Sequence, residues 1–553
     1  MTTKDQSMTR APKLMTFASM FPKIKASRWI AALGLLATAM PALAQCPITF
    51  SPAASYFTGN NPTSVAVGYF NNDEPLDLAV TNANFDNVSI LRGNADGTFQ
   101  TRVNYFVGRY PQSVAVGDFN GDGEADLVVA NRDDNAVAIL RGNDNGTFQG
   151  GVFYAAGIGP RFVKVGDFNF DGRQDLAVVN EFGDNVSILL GNANGTFQAP
   201  VNYAVGKSPT SVVVGDFNND NWFDLAVTNS GGNNVSILLG NPAPNLGTFQ
   251  APVNYAVGRF PQSVAAFDFN ADGRPDLAVA NSFSNNVSIL LSNLSGTFQP
   301  AVNYGVGVQP VSVAVGDFNS DGRPDLAVAN QASLNVSILR GNANGTFQAA
   351  VNNVAGSQLF SLVVGDFNAD RRPDLIGVAS NSIDVTVALN TTPYPLVVAR
   401  QPASVSICSS GTAPFSVAVS GTFPVTNQWQ WQPAGPSTAW AALSNGINKN
   451  TLGTPTFNVS GATTPSMNIT SLSGLGGNFR CIVTNACGSV TSNEATLTIC
   501  AADFNCNGFV NGDDFDSYIA AFVSGDLSSD FNRDGFVNGD DFDAFVPVFE
   551  LGC

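Results

Sequence analysis

Asp118-Phe119-Asn120-Gly121-Asp122-Gly123-Glu124-Ala125-Asp126 returns as Asp167 to Asp175, Asp216 to Asp224, Asp268 to Asp276, Asp317 to Asp325 and Asp366 to Asp374, with a degraded copy from Tyr69 to Asp77. The copies start 49 residues apart, except for one step of 52 between Asp216 and Asp268. Oxygen side chains stand at positions 1, 3, 5 and 9, with Gly at 6 in the complete copies. That spacing wraps a hard cation, because calcium takes six to eight oxygens and Gly permits the sharp turn. A period of about 50 residues with strand-like content predicts a propeller or a solenoid.

Each repeat carries four strand-like runs. In the fourth repeat they are 211–216, 224–229, 235–239 and 249–257. The first two are Val, Ala and Leu with little polar alternation, as in strands buried on both faces. Small residues suit the tapering centre of a ring of blades. Gly-Thr-Phe-Gln follows the third run in six repeats, starting at Gly97, Gly146, Gly195, Gly247, Gly296 and Gly345. The seventh repeat stops at Leu389-Asn390 without it. The missing strand stands at the other end of the repeats, where 49–59 lines up without gaps against 248–258. We expect this N-terminal strand to complete the last blade, closing the ring and removing its exposed edge.

These residues resemble the FG-GAP and VCBS repeats of integrin-α-type seven-bladed propellers, over residues 45–392. The resemblance implies calcium in the hairpin between the first and second strands of each blade. Its ligands would be Asp118, Asn120, Asp122, Glu124 and Asp126; Asp167, Asn169, Asp171, Arg173 and Asp175; and Asp216, Asn218, Asp220 and Asp224. The remaining copies offer Asp268, Asn270, Asp272, Arg274 and Asp276; Asp317, Asn319, Asp321, Arg323 and Asp325; and Asp366, Asn368, Asp370 and Asp374. Position 7 would give only its backbone carbonyl, so Glu124, Arg173 and Arg274 can all stand there. Repeat 1 departs from the pattern with Tyr69 and Glu74, and Asn221 and Arg371 replace Gly in repeats 4 and 7.

Residues 393–500 change character to Ser, Thr and Gly with alternating strands. Trp429-Gln430-Trp431, 478–485 and 488–499 resemble strands C, F and G of an immunoglobulin-like sandwich. Val417 replaces the family's strand-B cysteine. Residues 501–553 hold a duplicated loop with Asp503, Asn505, Asn507, Asn511 and Asp514 in one copy and Asp530, Asn532, Asp534, Asn538 and Asp541 in the other. Gly508 and Gly535 occupy position 6, as in an EF-hand loop. Each loop precedes a helix-compatible run, 515–523 and 542–549. The tail resembles a dockerin, which implies a cohesin-like partner. Pro547 is expected to shorten the second helix. Cys506 and Cys553 are expected to staple the module. The fold class expected is therefore mainly β: a seven-bladed propeller, an immunoglobulin-like sandwich and a small α EF-hand module.

The N-terminus reads as a signal peptide over 1–44. Lys23, Lys25 and Arg28 precede an apolar run, and Ala42-Leu43-Ala44 offers a cleavage site. Cys46 admits a lipoprotein anchor, but Gln45 stands where such signals want a small residue. After signal removal no apolar run is long enough to span a membrane. The chain is expected to be secreted or held at the cell surface. Its other six cysteines lie beyond residue 400 and are read as disulfides rather than catalytic thiols. Strands A′ and G running together would let Cys408 meet Cys500, but the four cysteines of 393–500 allow three pairings, which stay open.

The net charge of −18 disfavours nucleic acid as a partner. The absence of His excludes Ser-His-Asp chemistry and His-ligated zinc. Five Asn-Val-Ser triplets match the glycosylation pattern, but they open the repeated third strand, where packing explains them. The loops from strand four to strand one, and from strand two to strand three, share the face opposite the Asp hairpins. They carry Arg109, Tyr110, Arg132, Phe182, Arg259, Phe260 and Phe283, side chains suited to a sugar or protein ligand. The function expected is a non-enzymatic calcium-binding adhesion protein for a polysaccharide or cell-surface ligand. The alternatives are a carbohydrate-active lyase or hydrolase component, and a structural protein anchored through its tail.

Overall fold

The computed structural model describes residues 46–354, 358–379, 381–408, 411–433, 439–449, 455–471, 476–505, 507, 509–532 and 535–551. The signal segment and Cys506, Gly508, Asp534 and Cys553 lie outside them. Residues Thr49–Thr391 form one compact unit, and Cys46–Ile48 with Thr392–Cys553 belong to a second.

The first unit is built of four-stranded antiparallel sheets, seven of them among the described residues. The second repeat shows the plan: Pro111–Gly117, Asp126–Asn131, Ala136–Leu140 and Val152–Ala155, in that order across the sheet. Its second strand is buried at every residue. The run of Val, Ala and Leu without polar alternation thus becomes a strand covered on both faces. First strands of consecutive sheets pack beside each other, and the last, Leu359–Gly365, packs beside the first, Pro62–Gly68. The ring therefore closes on itself in a propeller-like array.

Closure runs through the N-terminal strand. Ala54–Phe57 pairs antiparallel with Asp384–Ala388, setting Ala54 opposite Val387 and Phe57 opposite Asp384. Phe50 bridges to Asn390 as Phe99 bridges to Gly93 within the first repeat. The Phe of each Gly-Thr-Phe-Gln packs edge-on against the Phe at position 2 of the preceding blade's Asp loop: Phe148 on Phe70 at 5.4 Å, Phe197 on Phe119 at 5.5 Å. Phe50 takes that role for the last blade, edge-on to Phe318 at 5.9 Å. Edge-to-face pairs of this kind add about 0.5–1.5 kcal/mol beyond area burial, so each blade is clipped to its neighbour. The fourth strands are shorter than the sequence pattern suggested. In the fourth repeat the strand covers Val253–Ala256, and Phe249, which makes this clip, is held to Gly240 by a separate isolated bridge.

In the second unit two sheets enclose a core of Trp429, Trp431, Phe415, Phe457, Phe479 and Cys481. One sheet places Trp429 directly opposite Cys481 across Thr426–Pro433 and Gly477–Asn485. Cys481 is a free, buried thiol, which corrects the expectation that all six cysteines beyond residue 400 are disulfide-bonded; Val417, also buried, stands in place of a strand-B cysteine. Val405–Ile407 runs parallel to Ala495–Ile499, as expected, and both Cys408 and Cys500 beyond them are disulfide-bonded. Cys46 is disulfide-bonded to Cys487, so it is not a free acyl acceptor and the lipoprotein reading fails.

The tail holds helices α1 (Gly512–Ser524) and α2 (Gly539–Leu551). Asn511 caps α1 in a capping box with Asp514. Tyr518 stacks on Phe545 at 3.8 Å. Pro547 does not shorten α2, which matches α1 at 13 residues. One helical hydrogen bond is forfeited there, and the packing of Phe545 and Phe549 on Phe515 holds the last turns in place.

Candidate functional site

Each Asp hairpin hangs between a first and a second strand. In repeat 2 the pair Gly117 and Asp126 closes the ladder, and 118–125 form the loop. The backbone turns left-handed at positions 4 and 6: Gly121 and Gly123 have φ of 74° and 89°. Position 4 is often not Gly, with Phe170, Ala271, Ser320 and Ala369 all at positive φ. The motif's spacing gave no sign of that strain.

The two left-handed residues curl the loop around its own side chains. In repeat 3 the Asp171 and Gly172 amides donate to the two oxygens of Asp167, at 3.1 and 3.0 Å. Asp171 N–H also donates to Asn169 Oδ1 at 3.1 Å, and Arg173 N–H to Asp171 Oδ1 at 2.9 Å. Repeats 4, 5, 6 and 7 repeat this set from Asp216, Asp268, Asp317 and Asp366. Position 7 side chains turn aside: Arg173 pairs with Asp171, Arg274 with Asp272, and Glu124 accepts from Asn72. Their backbone carbonyls are the oxygens that remain for a ligand role.

Position 9 is different in kind. Asp126 is fully buried. It accepts from Phe119 N–H at 3.0 Å and from Gly142 N–H, at the end of the third strand, at 2.8 Å. The same two bonds recur at Asp77, Asp175, Asp224, Asp276, Asp325 and Asp374. This carboxylate staples three strands together. Burial pushes its pKa up, to about 6 at Asp77, Asp126, Asp175, Asp276 and Asp374 and about 7 at Asp224 and Asp325. The two amide bonds oppose that rise, and nearby loop carboxylates such as Asp220 and Asp216 beside Asp224 add to it.

Among the described residues no group of three or more His, Cys, Asp or Glu is gathered tightly enough to hold a metal ion. The donor set of each hairpin is nevertheless oxygen only: two or three carboxylates, one carboxamide and a carbonyl. It offers no nitrogen or sulfur ligand, and each carboxylate oxygen held by one amide keeps a second lone pair. That chemistry fits a hard cation.

The tail loops share the curl. Gly535 N–H donates to Asp530 Oδ2 at 2.8 Å, and Asn507 N–H to Asp503 Oδ1 at 3.0 Å. Their last carboxylate sits at a helix start. Asp514 accepts from the Asn505 and Asn511 amides, and Asp541 from those of Asn532 and Asn538. Asn507 Oδ1 accepts from Phe509 N–H, while Asn511 and Asn538 cap Asp513 and Asp540. The backbone bond from Asn532 is the main reason the Asp541 carboxyl lies below its usual range.

On the opposite face the loop residues form local pairs. Arg109 bonds Asp134 at 2.8 Å, and Arg132 lies 3.8 Å over the Tyr110 ring. Phe260 stacks on Phe283 at 4.5 Å, and Phe182 stands apart and exposed.

One set of residues escaped the sequence reading. Asn82, at the end of a second strand, donates to Asn87 Oδ1 at 2.7 Å and Ser89 Oγ at 2.8 Å, and Ser89 donates to Asn104. The Asn-Val-Ser triplets are therefore rungs of a buried polar ladder, repeated at Asn180, Asn229, Asn281 and Asn330. Repeat 2 has Ala136 and Ala138 instead, and Asn131 turns to the Val107 carbonyl. The fixed distance from strand-end Asn to the triplet was the available signal.

The FG-GAP-like repeat pattern matches residues 69–129, 118–178, 167–227, 216–279, 268–328 and 317–377, more than half of the chain. The protein belongs to the FG-GAP-like repeat family. No curated protein matches the chain. Solved structures similar to these repeats include a functionally unknown protein from Desulfotomaculum acetoxidans DSM 771, with TM-score 0.40, 13% identity, 55% of this chain and 94% of that chain. A protein from Lactobacillus plantarum gives TM-score 0.43 and 16% identity over 55% of this chain and 87% of that one. A structure described as the Dos1 propeller gives 0.38 and 10% over 62% and 95%.

Proposed function

We propose that the protein is an exported, calcium-rigidified binding protein without catalytic activity. Its repeats make a seven-bladed propeller, residues 393–500 an immunoglobulin-like domain and 501–553 a dockerin-like docking module. The observation that carries this reading is the division of labour between the two ends of the ring. One end holds the oxygen-lined hairpins. The other presents Phe182 at 62% exposure and Phe283 at 57% beside arginines, a surface fit for a polysaccharide or protein ligand. The carboxyls pushed up to about 6 or 7 are strand staples repeated in every blade, which favours a structural over a catalytic use for them.

The tail supports docking by its symmetry. Phe509 and Phe536 occupy position 7 of the two loops and are 72% and 71% exposed. Two equivalent apolar tips offer a cohesin-like partner two alternative faces. Among the described residues no helix is long and apolar enough to cross a membrane. The test is a glycan array and a secretome pull-down with the full chain, each in calcium and in chelator, alongside an assay for unsaturated or reducing products. Calcium-dependent capture without product release is the expected result. Product release would replace this reading with the lyase or hydrolase alternative.

A further inference from the structure

Repeats 2 and 5 use one framework on the loop face and finish it differently. Gly108-Arg109-Tyr110-Pro111 corresponds to Gly258-Arg259-Phe260-Pro261. In repeat 2 every charge is matched. Arg109 pairs with Asp134, Arg132 pairs with Asp133 at 2.9 Å, and Arg132 covers the Tyr110 ring. In repeat 5 the residue equivalent to Asp134 is Ser284, which keeps only the bond from the Arg259 amide, at 2.7 Å. Ser282 replaces Arg132 and Phe283 replaces Asp133. Among the described residues the Arg259 guanidinium has no ion-pair or hydrogen-bond partner. The covering cation is gone as well, and Phe260 and Phe283 stack at 4.5 Å with an interplanar angle of 12°.

The result is an open groove of about 400 Å³ lined by Arg259, Ser282, Phe283, Asn285, Val308 and Gln309. Its volume lies at the small end of ordinary small-ligand sites. A flat aromatic pair takes the C–H face of a pyranose. The carboxamides of Asn285 and Gln309 suit hydroxyls, and a free guanidinium takes a carboxylate in a two-pronged bond. We propose that this groove binds a uronic-acid residue of an acidic polysaccharide, with its carboxylate on Arg259 and its ring on Phe283. This rests on the reading that the loop face is the ligand face. It names the sugar and the blade.

The test uses the full chain in calcium, with polyglucuronate and its carboxyl-reduced, neutral counterpart, by affinity electrophoresis and calorimetry. Polyglucuronate should bind and the reduced polymer should bind at least tenfold more weakly. Ser284→Asp rebuilds the repeat-2 ion pair in repeat 5 and should weaken polyglucuronate binding at least tenfold without moving the melting curve. Arg259→Gln should do the same. Equal binding of both polymers, abolished by Phe283→Ala, overturns the uronate assignment and keeps the ligand face. Polyglucuronate binding indifferent to Ser284→Asp and Phe283→Ala overturns both. Capture of acidic peptides in place of either polymer overturns the sugar class.

Discussion

The hairpins of repeats 2 to 7 and the second loop of the tail share their first carboxylate, the Asn at position 3 and a left-handed residue at position 6, yet their closing carboxylates stand in different elements. In a repeat the closing Asp is buried where three strands meet, and desolvation dominates its charge. In the tail the closing Asp is the third residue of a helix, and Asp541 is drawn down by the amides around it. Similar oxygen spacing therefore serves a strand staple in one unit and a helix start in the other. On the proposed reading, a cation in the first would fix a ring whose strands are already paired. In the second it would set the start of α1 and α2 in a module of about 50 residues, beside the aromatic cluster around Tyr518 and Phe545.

The largest expected effect is that of removing calcium. Binding to the native state alone adds roughly 2.7 kcal/mol per site at 100-fold excess over Kd, and the repeats offer several sites. Calorimetry of the full chain should show both transitions falling on chelation, the tail losing its cooperative transition altogether. Identical thermograms in calcium and in EDTA would remove the metal from both units.

The staple can be separated from the ligand within one repeat. Asp325→Ala orphans the buried amides of Phe318 and Gly341. It should cost about 2–6 kcal/mol in calcium and in chelator alike, because each of the two buried donors left unpaired costs about 1–3 kcal/mol. Asp321→Ala removes an exposed loop oxygen that accepts from the Arg323 amide and should matter mainly in calcium. Denaturant titration of the two variants, each with and without calcium, measures the difference. Equal calcium dependence would erase the distinction between the two carboxylates.

These two residues also mark how far the sequence could be read. The repeat length, the four runs and the stray Thr49-Phe50 predicted the blade and its closure, because strand burial and turn chemistry are written in local residue types. The roles within Asp-x-Asn-x-Asp-x-x-x-Asp were not separable, since Asp321 and Asp325 look alike until a third strand supplies the Gly341 amide. The same blindness hid Cys46–Cys487, a bond across 441 residues of chain, and the Asn82–Ser89 rung, whose triplet mimics a glycosylation site. The free Arg259 was visible as an arginine on the loop face. Its missing partner shows only when Ser284 is set against Asp134.

Chelated protein should give pH slopes of opposite sign in the two units. A carboxyl raised on folding keeps its proton longer in the native state, so stability is greatest when it is protonated and falls as pH rises. For the propeller carboxyls that window runs from about 4, the unfolded value, to about 6 or 7. Asp541 is lowered, so its stabilisation is present above the unfolded value and is lost as pH falls through the folded one. Chelated melts should therefore show the propeller weakening as pH rises from about 4 to about 7 and the tail weakening only as pH falls below about 4, so the series must extend below pH 4. Parallel slopes would mean that the closing carboxylates are not in different environments.

The smallest effect concerns position 6, the feature both kinds of loop share. Gly172, Gly273, Gly322 and Gly535 have φ between 80° and 90°. Repeat 7 places Arg371 there at φ 67°, and its amide still donates to Asp366 Oδ2 at 2.7 Å. The loop therefore keeps its shape, but an L side chain is held in the left-handed region, which costs about 1–2 kcal/mol. Glycine's extra freedom in the unfolded chain gives back about 0.5–1 kcal/mol of that. Arg371→Gly should thus stabilise the propeller by about 0.5–1 kcal/mol in denaturant titrations. The gain should persist in chelator, because the strain belongs to the backbone and not to the cation. Gly322→Arg in repeat 6 should produce the mirror-image loss. A gain confined to calcium would show instead that the loop reaches this conformation only around the ion, and that repeat 7 without calcium is not the curled hairpin its neighbours are.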